Sequence, residues 1–359
     1  MVRILIVTCL FSFAVFADEE PVVNVYNWSD YIAPDTIKNF AKEFGIKVNY
    51  DLYTSTEIVE AKLLAGHTGY DVVLHSSAYS ARLIPIGVYQ ALQKDLLPLW
   101  DNIDPWLLDQ LSAYDPGNQY GTSYMWGSTG FAYNVDMVRQ RMTDAPLNSW
   151  AMLFDPEVVA KFADCGVSLL DEPSEITRHA LLYLGYHQNN MDPAELAQVE
   201  AMLKSVRPYI KYFSSSKMIN DLPNGETCIA MSWSGDYAQA QGRADEVGAD
   251  IRLAYSTPKE GSVMFFDNWF IPADAPHPIN AHIFLNYLMR PKVIADISNT
   301  IRYANGIPSS IPYLDPDLIS DPASYPPPAL RDSMVTGVFY GPKVERRRTR
   351  LLMRVKTGL

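Results

Sequence analysis

Short apolar runs alternate with amphipathic stretches near the start of the chain, which predicts alternating strands and helices. The strands are VVNVYNW (22–28), IKVNYDLY (46–53) and YDVVLHSS (70–77). Between them, one helix begins at Pro34 and ends at Gly45, and a second helix, EIVEAKLLA, ends at Gly66. This β-α-β-α-β order predicts a parallel sheet covered by helices.

A second alternation follows a loop-rich stretch and begins with SWAMLFDPEVVAKF (149–162), which predicts one helix. The other predicted strands are 165–171, 227–233, 251–256 and 262–272. Five other helices are predicted. One starts at Pro173, a second covers 194–206, and a third is a short segment after Gly235. A fourth covers 278–300 with a break at Pro291, and the last is a basic helix over 343–356. Two alternations predict two α/β lobes, and ligands of open parallel sheets bind at the carboxyl ends of strands.

The first 17 residues, MVRILIVTCLFSFAVFA, have an early arginine, an apolar stretch and a small-residue end. This arrangement is typical of a cleaved secretory signal peptide, and its apolar stretch is short for a membrane span. A lipoprotein signal through Cys9 is a weaker interpretation, because Thr8 is a poor residue to precede a lipidated cysteine. We therefore expect an exported protein that is cleaved after Ala17.

Composition narrows the class of partner. The chain has 359 residues, of which 48% are hydrophobic, as in a globular protein with two lobes. Loss of Arg3 with the signal leaves 28 basic against 41 acidic residues, a net charge of −13. Such a protein is a poor partner for nucleic acid and attracts cations. The remaining Cys165 and Cys228 either form a disulfide or stay as separate buried thiols.

Catalytic motifs are missing from the sequence, which has no GxSxG, HExxH, P-loop or CxxC pattern and no pair of histidines at metal-ligand spacing. His75 precedes Ser76 and Ser77, so a serine–histidine site is conceivable, although adjacent strand residues point to opposite faces. We expect no cofactor, no metal and no catalytic step.

An acid beside aromatic rings recurs at the predicted strand ends. The segments are VYNWSDYI (25–32), MSWSGDY (231–237), MFFDNWF (264–270) and, with acids alone, LLDEPSEI (169–176). Core packing or helix capping explains any one of them, but the repetition in both lobes favours a binding site. Carboxylates pair with ammonium groups while ring faces attract their charge, so the site predicts an organic cation, and two separated acid clusters favour a di- or polyamine. A calcium site requires a dense cage of oxygen ligands instead.

Taken together, the motifs resemble the periplasmic polyamine-binding proteins of bacterial ABC importers. NWSDYI, LLDEPSEI, YFSSS, CIAMSWSGDY, PKEGSVMFFDNWFIPADA, RYANG and a closing RVKTG follow the order of that family over nearly the whole mature chain. The resemblance implies a type II periplasmic-binding-protein fold, in which the ligand lies between two lobes joined by crossing strands. It also implies a disulfide between Cys165 and Cys228.

The resemblance assigns site residues to both lobes. The expected ligand-binding residues are Trp28, Ser29, Asp30, Tyr31, Ser76, Glu175, Ser215, Trp233, Asp236, Phe265, Asp267 and Tyr303. Asp236 and Asp267 would hold ammonium groups, and Trp233 would stack on the methylene chain. Ala78, Tyr79, Glu172 and Gly337 depart from what a putrescine binder of this family would have at these positions, so they are expected to tune the choice of polyamine. Glu172 adds a carboxylate that favours a longer amine.

The resulting prediction is a monomeric periplasmic receptor that delivers a polyamine to a permease and ATPase in the membrane. We place lobe 1 at 18–131 plus 254–308 and lobe 2 at 132–253 plus 309–359. Two alternatives stay open: a receptor that senses polyamines for signalling, and a secreted amine-processing hydrolase. The basic C-terminal helix is expected to be a solvated surface, with docking to a permease as the alternative.

Overall fold

The structure is a computed structural model, and it describes residues 19–190, 192–246, 248, 250–337 and 341–358. The signal peptide predicted at 1–17 lies outside these residues. Within the described part of the chain, no helix is both long and apolar enough to cross a membrane.

Strands and helices alternate through most of the described chain. The strands are β1 (Val22–Trp28), β2 (Lys47–Tyr53), β3 (Val72–Ser76), β4 (Gly121–Asn134), β5 (Val167–Leu169), β6 (Ile210–Phe213), β7 (Ile229–Trp233), β8 (Leu253–Ser256), β9 (Val263–Phe270), β10 (Ala304–Asn305) and β11 (Val335–Thr336). The helices are α1 (Pro34–Phe44), α2 (Thr56–Ala65), α3 (Ser77–Ser80), α4 (Pro105–Leu111), α5 (Val135–Arg141), α6 (Ala151–Phe154), α7 (Pro156–Val159), α8 (Pro173–Tyr183), α9 (Pro193–Val206), α10 (Met218–Asp221), α11 (Ser234–Glu246), α12 (Pro278–Leu288), α13 (Pro291–Ile301), α14 (Pro316–Ser320), α15 (Pro328–Ser333) and α16 (Pro342–Thr357). Short 3₁₀ helices lie at Lys94–Leu96, Trp100–Asn102, Ala160–Phe162, Arg207–Tyr209 and Pro308–Tyr313.

One continuous sheet runs in the order β2-β1-β3-β9-β4-β7-β5-β6. Strands β2, β1 and β3 are parallel, and so are β6, β5 and β7, as the two alternations predict. Strands β9 and β4 run antiparallel to their neighbours between these two groups. The sheet is therefore mixed at its centre, where the two lobes meet, and parallel at each end.

Strand β4 lies in the stretch predicted to be loop-rich, and that prediction was wrong. Its first part pairs with β9 and its second part with β7 and β8, so β4 crosses from one lobe to the other. The sequence GTSYMWGSTGFAYN looks like a loop because of its glycines, but packing requires them. A Cβ atom at Gly127 would lie 2.8 Å from the Phe265 ring, and one at Gly130 would overlap the carbonyl oxygen of Ser256.

Three smaller predictions need correction. The helix predicted at 149–162 is divided into α6, α7 and a 3₁₀ turn, because Pro156 disfavours a helical Asp155, whose side chain caps α7 instead. The short helix expected after Gly235 is the 13-residue α11. Strand β6 was not predicted. The break at Pro291, between α12 and α13, is confirmed.

Each lobe has its own buried core, and partly buried Trp233 packs against both. In the second lobe a disulfide joins Cys165 and Cys228, with their Cα atoms 5.5 Å apart, as predicted. It links the segments that lead into β5 and β7, so it fastens two neighbouring strands of the second lobe together.

The basic helix α16 packs on the second lobe through Leu351, Leu352 and Val355, which are buried. Several of its cations form ion pairs: Lys356 with Asp171 at 2.8 Å and Arg354 with Glu200 at 2.5 Å. The helix is therefore part of the second lobe, and only part of its basic surface is solvated.

The lobe boundaries at 131/132, 253/254 and 308/309 stay a prediction. Strand β8 pairs with the second part of β4, beside the second lobe. The segment after 308 first packs near α13 of the first lobe, where Leu314 and Leu318 contact Ala295.

Candidate functional site

A cavity of about 90 Å³ lies between the lobes at the carboxyl ends of the strands. All twelve residues expected to bind the ligand line it. They come from the ends of β1, β3 and β7, the loop after β6, the first turns of α8 and α11, strand β9, and the residue before β10. The fold thus brings together segments that are scattered along the sequence.

Asp267 lies on β9 and lines the cavity. The hydroxyl of Tyr31 donates a hydrogen bond to its Oδ2 at 2.9 Å, and Ser76 on the paired strand β3 also hydrogen-bonds to the carboxylate. Burial raises the pKa of Asp267 to about 7; the hydrogen bonds oppose that shift. The first lobe therefore presents an oriented carboxylate whose charge is poorly hydrated.

Asp236 plays the same part on the opposite lobe, in the first turn of α11. It accepts a hydrogen bond from the hydroxyl of Tyr303 at 2.7 Å, and burial raises its pKa to about 7. The neighbouring Gly235 is required here, because a Cβ atom at that position would overlap the Tyr303 ring. Tyr31 and Tyr303 touch edge to face, with ring centroids 5.2 Å apart, so the two tyrosine–carboxylate pairs adjoin.

Aromatic rings complete the walls. Trp28 of the first lobe meets Trp233 of the second edge to face at 5.9 Å, and Phe265 lies 6.4 Å from Trp233 and 6.1 Å from Tyr303, measured between centroids. Rings in this arrangement cover methylene groups and present π faces to a cation. The cavity therefore offers apolar sides next to the carboxylates of Asp236 and Asp267.

Glu175 is buried in the first turn of α8, but the protein already satisfies its charge. Arg178 donates to its Oε1 at 3.2 Å, and the hydroxyl of Thr129 donates to its Oε2 at 2.7 Å. A buried carboxylate that is paired in this way contributes less net charge to the cavity than Asp236 or Asp267.

Asp30 is at the rim of the cavity. Its side chain is largely exposed, its backbone has a left-handed φ of 54°, and Arg243 of the second lobe lies 3.9 Å away. Ser29 is half-buried beside it, and the hydroxyl oxygen of Ser215 accepts a hydrogen bond from the backbone N–H of Asp171 at 3.2 Å. These residues shape the edge of the cavity more than they charge its interior.

Two of the four residues expected to tune selectivity line the cavity, namely Tyr79 and Glu172. Ala78 is buried in a neighbouring apolar cluster. Gly337 is also absent from the lining, and a Cβ atom there would come within 3.1 Å of the Arg178 guanidinium. A side chain at position 337 would therefore crowd Arg178, the partner of Glu175, and Val263.

Glu172 is the N-cap residue of α8, yet its side chain does not cap that helix. It is 3% exposed, and the backbone N–H of Thr56, at the start of α2 in the opposite lobe, hydrogen-bonds to it. Its Oε1 is buried without a hydrogen-bond partner. Burial, together with the nearby charges of Glu57 and Glu175, raises the pKa of Glu172 well above its ordinary value.

The serine–histidine alternative finds no support in the geometry of His75. Its ring is 2% exposed and its Nδ1 is hydrogen-bonded to the Tyr89 hydroxyl at 2.8 Å rather than to a serine. Burial lowers the pKa of His75 to about 3, and Ser77 accepts a hydrogen bond from Asn268. Among the residues that the structure describes, no cluster of acids, histidines or cysteines could hold a metal ion.

Six cavity residues were missing from the sequence prediction. They are Tyr53, Thr56, Leu74, His75, Ser216 and Ile219. Tyr53 could have been found, since it ends β2 directly beside Trp28 at the end of β1, and the two rings touch edge to face at 4.9 Å. Leu74 and Ile219 carry no sequence signal that separates them from core residues.

A sequence profile of the family described as bacterial extracellular solute-binding proteins matches residues 35–327. The chain belongs to this family. Its α/β architecture, in which strand β4 passes between two lobes around an interlobe cavity, is the two-lobe fold of periplasmic binding proteins.

Several relatives match this solute-binding protein over nearly its full length. The putrescine-binding periplasmic protein SpuD of Pseudomonas aeruginosa (strain UCBPP-PA14) is 44% identical over 343 residues, which cover 95% of this chain and 94% of that protein. The putrescine-binding periplasmic protein PotF of Escherichia coli (strain K12) is 43% identical over 349 residues, covering 97% and 94%. Among solved structures, a putative spermidine/putrescine ABC transporter from Listeria monocytogenes superposes with a TM-score of 0.85 at 26% identity, covering 95% of this chain and all of that one.

Proposed function

We propose that this solute-binding protein captures a linear polyamine between its lobes and delivers it to an ABC importer in the membrane. The observation that carries the proposal is the pair of tyrosine-bound carboxylates, Asp236 and Asp267, inside a box of aromatic rings. Relatives that are 43–44% identical and named as putrescine-binding proteins support the same ligand class.

The balance of charge within the cavity sets the expected ligand charge. Of its five carboxylates, Glu175 is paired with Arg178, and Asp30 has Arg243 nearby. No ion pair of the described residues involves the other three, Asp236, Asp267 and Glu172. A buried acid without a cationic partner is costly unless a bound cation supplies one. Two or three ammonium groups therefore complement the cavity, which favours putrescine and spermidine over monoamines.

The remaining parts of the proposal follow from the family. We infer that the protein acts in the periplasm as a monomer after removal of a signal peptide, that it performs no catalytic step, and that its partners are a permease and an ATPase. The twelve predicted residues that line the cavity are the proposed ligand contacts. Asp236 and Asp267 are the proposed ammonium sites, and Trp233 is proposed to pack against the methylene chain.

Thermal unfolding with a panel of amines tests the proposal. Putrescine, cadaverine, spermidine and spermine would be compared with butylamine, and isothermal titration calorimetry would give affinities. A ligand that binds only the native protein stabilises it by about 2.7 kcal/mol at about a hundredfold excess over Kd. Butylamine is expected to give a much smaller shift because it leaves one carboxylate unpaired. No shift with any polyamine would contradict the proposed function, and permease binding in membrane vesicles would separate transport from sensing.

A further inference from the structure

A second cavity, of about 190 Å³, lies between the lobes next to the first one. The first lobe contributes residues from α2 and α3, and the second lobe contributes the start of α8 and one side of α16. No pattern in the sequence predicts this cavity, and none of the twelve proposed ligand contacts lines it. We refer to it as the side cavity.

The side cavity adjoins the ligand cavity directly. Thr56 and Tyr79 line both. On the opposite lobe, Glu172 lines the ligand cavity, and the next two residues, Pro173 and Ser174, line the side cavity. The two cavities therefore meet along Thr56 and Tyr79 on one lobe and residues 172–174 on the other, where the backbone N–H of Thr56 hydrogen-bonds to Glu172.

Charged groups in the side cavity are mostly paired. Glu60 forms an ion pair with Arg82, and Glu345 is bonded to Ser174 and to Arg348. Glu57, exposed in the first turn of α2, has no partner among the described ion pairs, and the same holds for Arg346. The side cavity thus has one unmatched carboxylate, from the first lobe, and one unmatched guanidinium, from α16.

Glu172 gives an independent reason to expect a bound cation near the side cavity. Glu172 lines the ligand cavity, and its Oε1 is buried without a hydrogen-bond partner, which is costly in a native protein. Continuing from Glu172, the next unmatched carboxylate is that of Glu57, whose charge is felt at Glu172. A chain of ammonium groups that leaves the ligand cavity would meet these two acids in succession.

We propose that the side cavity is a binding subsite for the far end of a tetraamine such as spermine, with its terminal ammonium group beside Glu57. This inference rests on the proposed function. The ligand cavity holds the first ammonium groups, and the methylene chain passes between Tyr79 and Glu172. Arg346 repels the terminal ammonium group and weakens this subsite.

Calorimetry with spermine, spermidine and putrescine tests the subsite through the ratio of spermine to spermidine affinity. Glu57→Lys is expected to lower that ratio about tenfold, and Glu57→Gln about two- to fivefold, as for partly exposed charge pairs. Arg346→Ala is expected to raise the ratio, and Thr349→Phe to lower it by filling the side cavity. Asp35→Asn is the matched control, because Asp35 is also an acid in the first turn of a first-lobe helix but lies outside both cavities.

The outcomes separate this inference from the proposed function. Opposite changes of the ratio in the Glu57 and Arg346 variants, with no change in Asp35→Asn, would support the subsite. If spermidine binds but wild-type protein does not bind spermine, or if the ratio is the same in all variants, the subsite is overturned while the proposed function stands. If no polyamine binds to the wild-type protein, the proposed function itself fails.

Discussion

Polyamine affinity should rise steeply with pH, because the two proposed ammonium sites hold protons in the empty closed cavity. Burial raises the pKa of both Asp236 and Asp267 to about 7, whereas a hydrated aspartate ionises near pH 4. An ammonium group binds the ionised carboxylate only. At low pH the ligand must therefore displace a proton from each site, and this proton release weakens binding.

The size of the effect follows from the two pKa values. A carboxylate with a pKa of about 7 is about 3% ionised at about pH 5.5 and about 90% ionised at about pH 8, a ratio of about 30. If the two carboxylates ionise independently, their ratios multiply, so the affinity is expected to change several hundredfold over this pH range. Alkylammonium groups of the ligand keep their protons up to about pH 10, so the ligand charge is constant over this range.

Isothermal titration calorimetry with putrescine at several pH values between about 5.5 and 8 measures the effect. Repeating each titration in two buffers of different ionisation enthalpy gives the number of protons released. We expect nearly two protons near pH 5.5 and a small fraction of one near pH 8. Asp236→Asn should bind more weakly and release about one proton fewer, since only Asp267 then titrates.

An affinity that changes less than about threefold over this pH range would refute the reasoning. That result would mean that both carboxylates are hydrated and ionised in the ligand-free protein, as they would be if the lobes stood apart. The proposed contacts could then still be correct, but the penalty assigned to the empty cavity would be wrong.

Three further predictions concern single features of the molecule. Asp267→Ala should cost about 3–5 kcal/mol of putrescine binding, because it leaves a buried ammonium unpaired, whereas Ser29→Ala at the rim should cost less than about 1 kcal/mol; equal losses by calorimetry would argue against the site assignment. Replacing Cys165 and Cys228 by serine should lower the free energy of unfolding by about 2–4 kcal/mol, measured by urea denaturation, and an unchanged midpoint would show that the disulfide adds no stability. Glu172→Gln should weaken spermidine binding more than putrescine binding, and an equal effect on both ligands would exclude Glu172 as the partner of a third ammonium group.

Much of the fold could be predicted from the sequence, because the outer strands are ordinary parallel strands with alternating helices. The centre could not. Strand β4 contains three glycines and several small polar residues, a composition typical of loops. The glycines are explained only by neighbouring groups, such as the Phe265 ring, that leave no room for a Cβ atom. Local patterns do not report packing between segments that are far apart in sequence, such as Gly127 and Phe265.

The cavity was easier to predict than the sheet that supports it, since a tryptophan and an acid at a strand end form a local signal. Trp28, Trp233 and Asp236 all carry it. The electrostatic role of the acids was only partly local, however. Glu175 and Arg178 are three residues apart in one helix, a spacing that predicts an ion pair, whereas nothing in the sequence connects Arg243 with Asp30.

Charge and closure are therefore coupled in this fold. The empty lobes are held together at the cavity by two hydrogen bonds, from the Tyr303 hydroxyl to Asp236 and from the Thr56 N–H to Glu172. The edge contact of Trp28 with Trp233 and the loose pair of Asp30 with Arg243 add to them. Against them stand three buried carboxylates without cationic partners, Asp236, Asp267 and Glu172. A ligand shifts an equilibrium only by its different affinity for the two states. A polyamine makes that difference large, because its ammonium groups remove the penalty that closure imposes on the acids, whereas a neutral solute of the same length leaves the penalty in place.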